Sequence, residues 1–376
     1  MSIDFAAVVG GFVHDSAPMR VVFGAGSLDT VPAEVDRLGA SRVLLVAGGP
    51  EAAYADLLAD ALGARLAGRF SDVVMHVPVE VARSAADAAA TAGADLVVCV
   101  GGGSSTGAAK AIALASGLPI LAVPTTYAGS EMTTIWGLTE NGVKTTGRDP
   151  RVQPRVVVYD PELTLSLPVD LSAASGMNAM AHLVEGLYAP GASPITTLVA
   201  EEGVRALAAA LPEVVANPTD IEARSKALYG AWLAGWTLGV AGMGIHHKIC
   251  HVVGGNYDLP HAGVHSVVLP YAMAYNSAHA SDAMSRVQRA LAAAGINAPD
   301  AATGIWQLEQ AIGAPTSLSA VGLAETDIHE AADAVFATPM VNPRPADRGA
   351  IEVLLRDAWA GFAPREISLA PSEPTR

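Results

Sequence analysis

Five of the ten histidines in this 376-residue chain fall in the twenty residues from His246 to His265, within the run GIHHKICHVVGGNYDLPHAGVH. His247 and His251 are four apart and share a helix face, and His261 and His265 repeat that step after a Gly254-Gly255 break and Pro260. Far upstream, SGMNAMAHLVEG sets Asn178 and His182 at the same spacing. A lone histidine on a helix is ordinarily a core or surface residue, which is the reading for His14, His76, His279 and His329. Clustering argues for function at His182, His247, His251 and His261. Converging imidazoles could bind zinc or iron, yet the position four before His182 is Asn178, a neutral and weak donor, where Asp or Glu would be usual. Alternatively, imidazoles that protonate near neutral pH, beside Lys248, could receive a carboxylate or enolate and give up a proton. Lys248 also reads as a solvated helix residue.

A hydride donor would need a place to bind. The run VGGGSSTGAAK, residues 100–110, lies between an apolar strand and a helix. Gly101, Gly102 and Gly103 let the backbone turn close to a ligand, Ser104 and Ser105 can cap, and the helix N-terminus offers N–H groups to a pyrophosphate. The spacing is not GxGxxG, and such a turn can serve geometry alone. After the next strand, PTTYAGSEMT, residues 124–133, presents Thr125, Thr126, Tyr127, Ser130 and Glu131 at the same sheet edge, where ligands of open α/β sheets bind. Strand 42–47 is followed by Gly48, Gly49 and Pro50, where an acid would often hold a ribose hydroxyl, so NADH and NADPH both stay open.

Apolar strands at 42–47, 94–100, 119–123 and 155–159 alternate with helical stretches at 50–62, 81–92 and 106–116, which predicts an α/β domain with a parallel Rossmann-like sheet. After Asp160 the apolar residues recur at helical spacing, so an all-α domain follows. The expected division is a dinucleotide-binding domain over 1–165 and a helical catalytic domain over 166–376. The uncharged run 227–247 is long enough to span a bilayer, but Gly230, Gly235, Gly239, Gly242 and Gly244 suit close helix packing in a core better. A net charge of −15 excludes nucleic acid and anionic membrane as partners. The two cysteines, Cys99 and Cys250, lie in apolar runs and build no disulfide framework, and MSIDFAAVVGGFVHDSAP lacks a signal-peptide pattern, so a cytoplasmic protein is expected.

These segments, with RDPRVQPRVVVYDPELTLSLP, ALYGAWLAG, HSVVLPYAMAYN and NPRP, give the chain a resemblance along nearly its whole length to the maleylacetate reductase branch of the iron-containing alcohol dehydrogenase superfamily. The resemblance implies the superfamily's fold, shared with dehydroquinate synthase. The superfamily's metal pattern falls on Asn178, His182, His247 and His261, and its acid after GGGSxx is replaced by Gly107. Asn178, the HHK around His247 and the PHA around His261 look like the reductase branch, which implies a site that works without a metal. The implied reaction is NADH- or NADPH-dependent reduction of maleylacetate to 3-oxoadipate in bacterial degradation of aromatic compounds. On that reading His247 and His261 stabilise the enolate, Asn178 and His182 complete the pocket, and His251 donates or orients a proton. Lys248, Tyr127 and Arg344 are candidates for the dicarboxylate substrate, and a homodimer is expected. The rival readings are a metal-dependent alcohol dehydrogenase using iron or zinc, and a non-catalytic nucleotide-binding sensor.

Overall fold

A computed structural model describes residues 12, 14, 16–75, 77–140, 143–337 and 339–366, so His76 and most of the opening segment lie outside the described residues. The chain runs β1 (Arg20–Phe23), α1 (Val31–Arg37), β2 (Val43–Ala47), α2 (Ala52–Leu62), β3 (Leu66–Phe70), α3 (Val79–Ala92), β4 (Leu96–Gly101), α4 (Gly103–Ser116), β5 (Ile120–Pro124), β6 (Ile135–Glu140), β7 (Val143–Arg148) and β8 (Val156–Tyr159). Helices follow: α5 (Val169–Gly186), α6 (Pro194–Ala216), α7 (Ile221–Ala241), α8 (Ile245–Asn256), α9 (His261–Asn276), α10 (Ser281–Ala293), α11 (Ala301–Ala311), α12 (Ile328–Phe336) and α13 (Arg348–Ala360).

Six strands form one parallel sheet in the order β1-β8-β5-β4-β2-β3. The four strands expected from sequence are its four inner ones. Their residues are buried throughout, because helices cover both faces of a parallel sheet and leave no position for a polar side chain. β1 and β3 are the edges and are only partly buried, as RVVF and LAGRF suggest once their place is known. The hairpin β6–β7 is a separate antiparallel pair that the sequence reading did not anticipate. Register matters for the site: Ala47 pairs with Val100 and Gly101 with Pro124, so β2, β4 and β5 end level and their exit loops share one edge.

The described residues divide into two compact units, 16–172 with 217–239, and 12 and 14 with 173–216 and 240–366. This differs from the expected cut near Leu165, because most of α7 belongs with the sheet. Glycines explain why. A Cβ on Gly235 would stand 2.6 Å from the Gly129 carbonyl oxygen, and one on Gly239 would stand 3.0 Å from that of Met132, so α7 lies backbone to backbone on the turn after β5. No single helix among the described residues is long and apolar enough to cross a membrane.

In the helical unit, α5 and α6 cross through two reciprocal glycine contacts. A Cβ on Gly176 would lie 2.3 Å from Leu211 Cδ2, and one on Gly203 would lie 2.5 Å from Leu183 Cδ2. Both leucines are fully buried and have little room to retreat. Gly176→Val should therefore cost about 1–3 kcal/mol and lower the melting temperature by several degrees in a calorimetric scan, with secondary structure retained.

Candidate active site

The α/β unit builds a tight, glycine-dependent edge. Gly101 has φ +139°, which side chains rarely adopt, and a Cβ there would meet Ser105 Oγ at 2.4 Å. A Cβ on Gly102 would meet Thr126 Cγ2 at 2.9 Å, so the loop after β5 seats directly against the turn after β4. Thr125 N–H donates to the Gly101 carbonyl at 3.3 Å and Thr126 stands beside it. Gly103 is exposed at the start of α4, where a Cβ would make only an ordinary contact with Ala128 Cβ at 3.9 Å, Ser104 is partly exposed, and Ser105 is buried. The first free N–H groups of α4 are thus presented at the sheet edge, where an anionic group is favoured.

Gly107 is packed as well, since a Cβ there would stand 2.7 Å from Val77 Cγ2. The superfamily's acid at this position could enter only if Val77 moved.

Two residues expected to contact a ligand are committed to the interior instead. Tyr127 is fully buried, and its hydroxyl accepts from Arg224 Nη1 at 3.3 Å. Arg224, itself fully buried, also donates to Ser172 Oγ and to the carbonyls of Pro218 and Leu167. Glu131 is buried and accepts from the Tyr159 hydroxyl at 2.7 Å, while burial lifts its pKa above the usual carboxylate range. Beside it the buried Lys110 ammonium donates to the Thr133 and Ile135 carbonyls at 2.7 Å each, and desolvation brings its pKa down to about 7. Ser130 Oγ is buried with no hydrogen-bond partner among the described residues.

In the helical unit six imidazoles converge. Asn178 and His182 come from α5, His246, His247 and His251 from α8, and His261 and His265 from α9. The His182 and His247 rings stack at 5.1 Å, His247 and His265 lie 4.8 Å apart, and His261 and His265 lie 4.4 Å apart. His251 is exposed and reaches the group through His247 at 6.1 Å and His261 at 6.5 Å. Burial, reinforced by the neighbouring rings, holds the pKa values of His182, His247 and His265 well below that of an ordinary histidine, and brings His246 down to about 3. These four rings are neutral at physiological pH, so each has one lone-pair nitrogen.

A carboxylate that sequence reasoning passed over orients them. Glu185 stands three residues after His182 on the same helix, in HLVEG, and is fully buried. It accepts from the backbone N–H of His246 at 2.7 Å and pairs with His247 Nδ1 at 2.6 Å. An Nδ1–H given to Glu185 leaves His247 Nε2 as a bare lone pair, and that atom has no partner among the described residues. Neutral His247 is therefore an acceptor or ligand, which corrects its expected role as an enolate donor. His246 Nε2 and His265 Nδ1 bond each other at 3.0 Å.

Two cationic candidates divide. Lys248 is partly exposed on α8, next to His247. Arg344 instead lies 4.3 Å over the Tyr275 ring and donates to the Tyr275 carbonyl at 3.2 Å, so its guanidinium ties down the NPRP segment.

Comparison with known proteins gives this architecture its family. Residues 18–161 match the family model of iron-containing alcohol dehydrogenase, and residues 172–359 match the C-terminal model of the Fe-containing alcohol dehydrogenase family. The chain belongs to the iron-containing alcohol dehydrogenase family. It is 52% identical over 356 residues to a maleylacetate reductase from Burkholderia cepacia, covering 95% of this chain and 100% of that protein. The crystal structure of maleylacetate reductase from Rhizobium sp. strain MTP-10005 is 48% identical with a TM-score of 0.90, covering 94% of this chain and 99% of the other. A sulfoacetaldehyde reductase from Bifidobacterium kashiwanohense, solved in complex with NAD+, is 25% identical with a TM-score of 0.83 over 93% of this chain and 99% of the other.

Membership corrects the expectation of a metal-free site, because a family defined as iron-containing implies an iron cofactor. The residues fit one. Asn178 Oδ1, His182 Nδ1 and His247 Nε2 are buried polar atoms with no hydrogen-bond partner among the described residues, and neutral imidazoles are the form that binds metal. His182, His247 and His261 with Asn178 would hold the ion. The trio His246, His247 and His265 also brings its ligand atoms within 4.8 Å of one another, although His246 and His265 already satisfy each other.

None of the four family positions carries a carboxylate. Asn178→Asp adds a formal charge beside them and should tighten Fe(II) binding at least about tenfold in an anaerobic titration; unchanged affinity would place the ion elsewhere. Glu185→Gln removes the acceptor that fixes His247 and should lower kcat/KM about 10–100-fold, with the melting temperature recording any structural share of the loss.

Proposed function

We propose that this enzyme reduces the activated carbon–carbon double bond of maleylacetate, giving 3-oxoadipate, with hydride from NADH or NADPH. The observation that carries the reading is a buried cluster of neutral imidazoles with Asn178 in the acid's place, in a chain half identical to maleylacetate reductases along their full length. The edge formed by Gly101, Gly102, Gly103, Ser104 and Ser105 with Thr125 and Thr126 is the proposed dinucleotide site, and the NAD+ complex of the sulfoacetaldehyde reductase supports a nicotinamide cofactor.

The chemistry needs three things of the protein. Hydride adds to the alkene carbon β to the ketone, the alkene electron pair moves so that the ketone oxygen becomes an enolate, and a proton then adds to the carbon between them. Each turnover consumes one reduced cofactor and one proton. Iron, when bound, supplies Lewis acidity toward a carbonyl oxygen. His182, His247 and Asn178 form the buried wall, with His247 held in one tautomer by Glu185. His251 is exposed, so it can exchange protons with water and is assigned to donate toward the enolate carbon, while the partly exposed His261 is assigned with His182, His247 and Asn178 to hold the ion. Lys248 is assigned to one substrate carboxylate; partial burial lowers its pKa, and an anionic partner would offset that desolvation.

A homodimer in the cytoplasm is the proposed setting, supported by the common oligomeric base rate and by two buried, unpaired cysteines.

The test follows loss of reduced-nicotinamide absorbance with freshly generated maleylacetate, beside the reverse assay of primary alcohols with oxidised cofactor. Turnover of maleylacetate is expected, and turnover of alcohols alone would favour an alcohol dehydrogenase. His251→Ala and His261→Ala should each lower kcat by about 10²-fold without changing the melting temperature, and unchanged kcat in both would remove their assigned roles.

A further inference from the structure

The strand β2 leaves the sheet through Gly48, Gly49 and Pro50, with no acid at the position that commonly receives a ribose hydroxyl. The structure supplies one from three residues further on. Glu51 opens α2, yet its side chain does not cap that helix. It turns back over the sheet edge instead. Its Oε1 accepts from Thr125 Oγ1 at 3.3 Å, which is its only side-chain partner among the described residues. Its carboxyl carbon lies 3.3 Å from the Cβ position of Gly101, and its Oε2 lies 3.3 Å from that of Gly48. One half-buried carboxylate therefore spans the ends of β2, β4 and β5, directly over the turn that leads into α4.

Such a group is the wrong sign for a phosphate and the right acceptor for a hydroxyl. The N-terminus of α4 favours a pyrophosphate, whereas a second phosphate beside Glu51 would meet a like charge at low dielectric. A ribose 2′-hydroxyl would instead donate to the carboxylate oxygen that Thr125 leaves free.

We infer that Glu51 receives the adenosine ribose 2′-hydroxyl and makes this enzyme selective for NADH over NADPH. The inference rests on the dinucleotide reading of the glycine-rich edge and specifies which dinucleotide that edge takes. Thr125 is a positioning residue that holds the carboxylate over Gly101. Glycine is required at 101 partly because a side chain would occupy the space of this carboxylate.

The experiment titrates NADH and NADPH into the whole chain without substrate, following nicotinamide fluorescence, for the native protein, Glu51→Gln and Thr125→Val. The native chain should bind NADH at least about tenfold more tightly than NADPH. Glu51→Gln should lose about tenfold in NADH affinity and none in NADPH affinity, so the preference collapses. Thr125→Val should move the ratio the same way by less. A ratio unchanged by Glu51→Gln, or a native preference for NADPH, overturns the role of Glu51 while leaving the dinucleotide site intact. A native chain that binds neither nucleotide overturns both.

Discussion

Desolvation of four imidazoles, those of His182, His246, His247 and His265, is the constraint around which the helical unit is organised. Burying one histidine depresses its pKa, and burying several together depresses each further, because any proton taken up would face its neighbours at low dielectric. Such a cluster is unstable to protonation unless its N–H groups have acceptors. Glu185 supplies them from within, taking the His246 backbone N–H and the His247 ring. The carboxylate is itself raised by burial, and those same contacts draw it back toward the ionised form. Each partner thus makes the other's buried state tolerable, and removing either would leave an uncompensated polar group in an apolar interior.

The sheet edge depends on a different economy, the absence of side chains. Gly102 lets the Thr126 methyl close onto the β4 turn, Gly107 admits Val77, and Gly235 and Gly239 bring α7 onto the turn after β5. Gly101 and Gly102, read in the sequence as ligand-approach residues, are close-packing positions as well, and Gly235 and Gly239 pack as their context suggested. Their combined effect is still functional, because they bring three strand exits level and leave the first turn of α4 uncovered.

What the sequence made legible follows from this. The inner strands were readable because burial on both faces demands continuous apolar runs, while β1, β3 and the hairpin β6–β7 carry mixed residues whose pairing is decided by tertiary neighbours. The glycine-rich turn and the histidines were readable from spacing alone. Tyr127 and Glu131 misled, because polar residues in a loop after a strand look presented to solvent until Arg224 and Tyr159 are seen to claim them. Glu185 and Glu51 were missed for the converse reason. Each lies in an unremarkable helical context, and its partner is distant in sequence, His247 in one case and Thr125 in the other. Arg344 belonged to no helix or strand, and only the ring of Tyr275 beneath it reveals its structural role.

The neutral side chain at position 178 gains a physical meaning beside the proposed substrate. Glu185 already places one carboxyl group in the buried cluster, and four lowered histidines offer no positive charge to balance an anion there at physiological pH. An aspartate at 178 would add an anionic group on the same wall. For a neutral alcohol or aldehyde that charge is of little consequence, and with a bound cation it strengthens the metal site. For a substrate carrying two carboxylates and developing a third negative centre on its ketone oxygen, every extra anionic group raises the barrier. Asn178 keeps an oxygen donor at the position while removing the charge. The same substitution that weakens a metal ligand therefore suits the site to an anionic substrate, and the chain's overall charge of −15 makes such local relief all the more necessary.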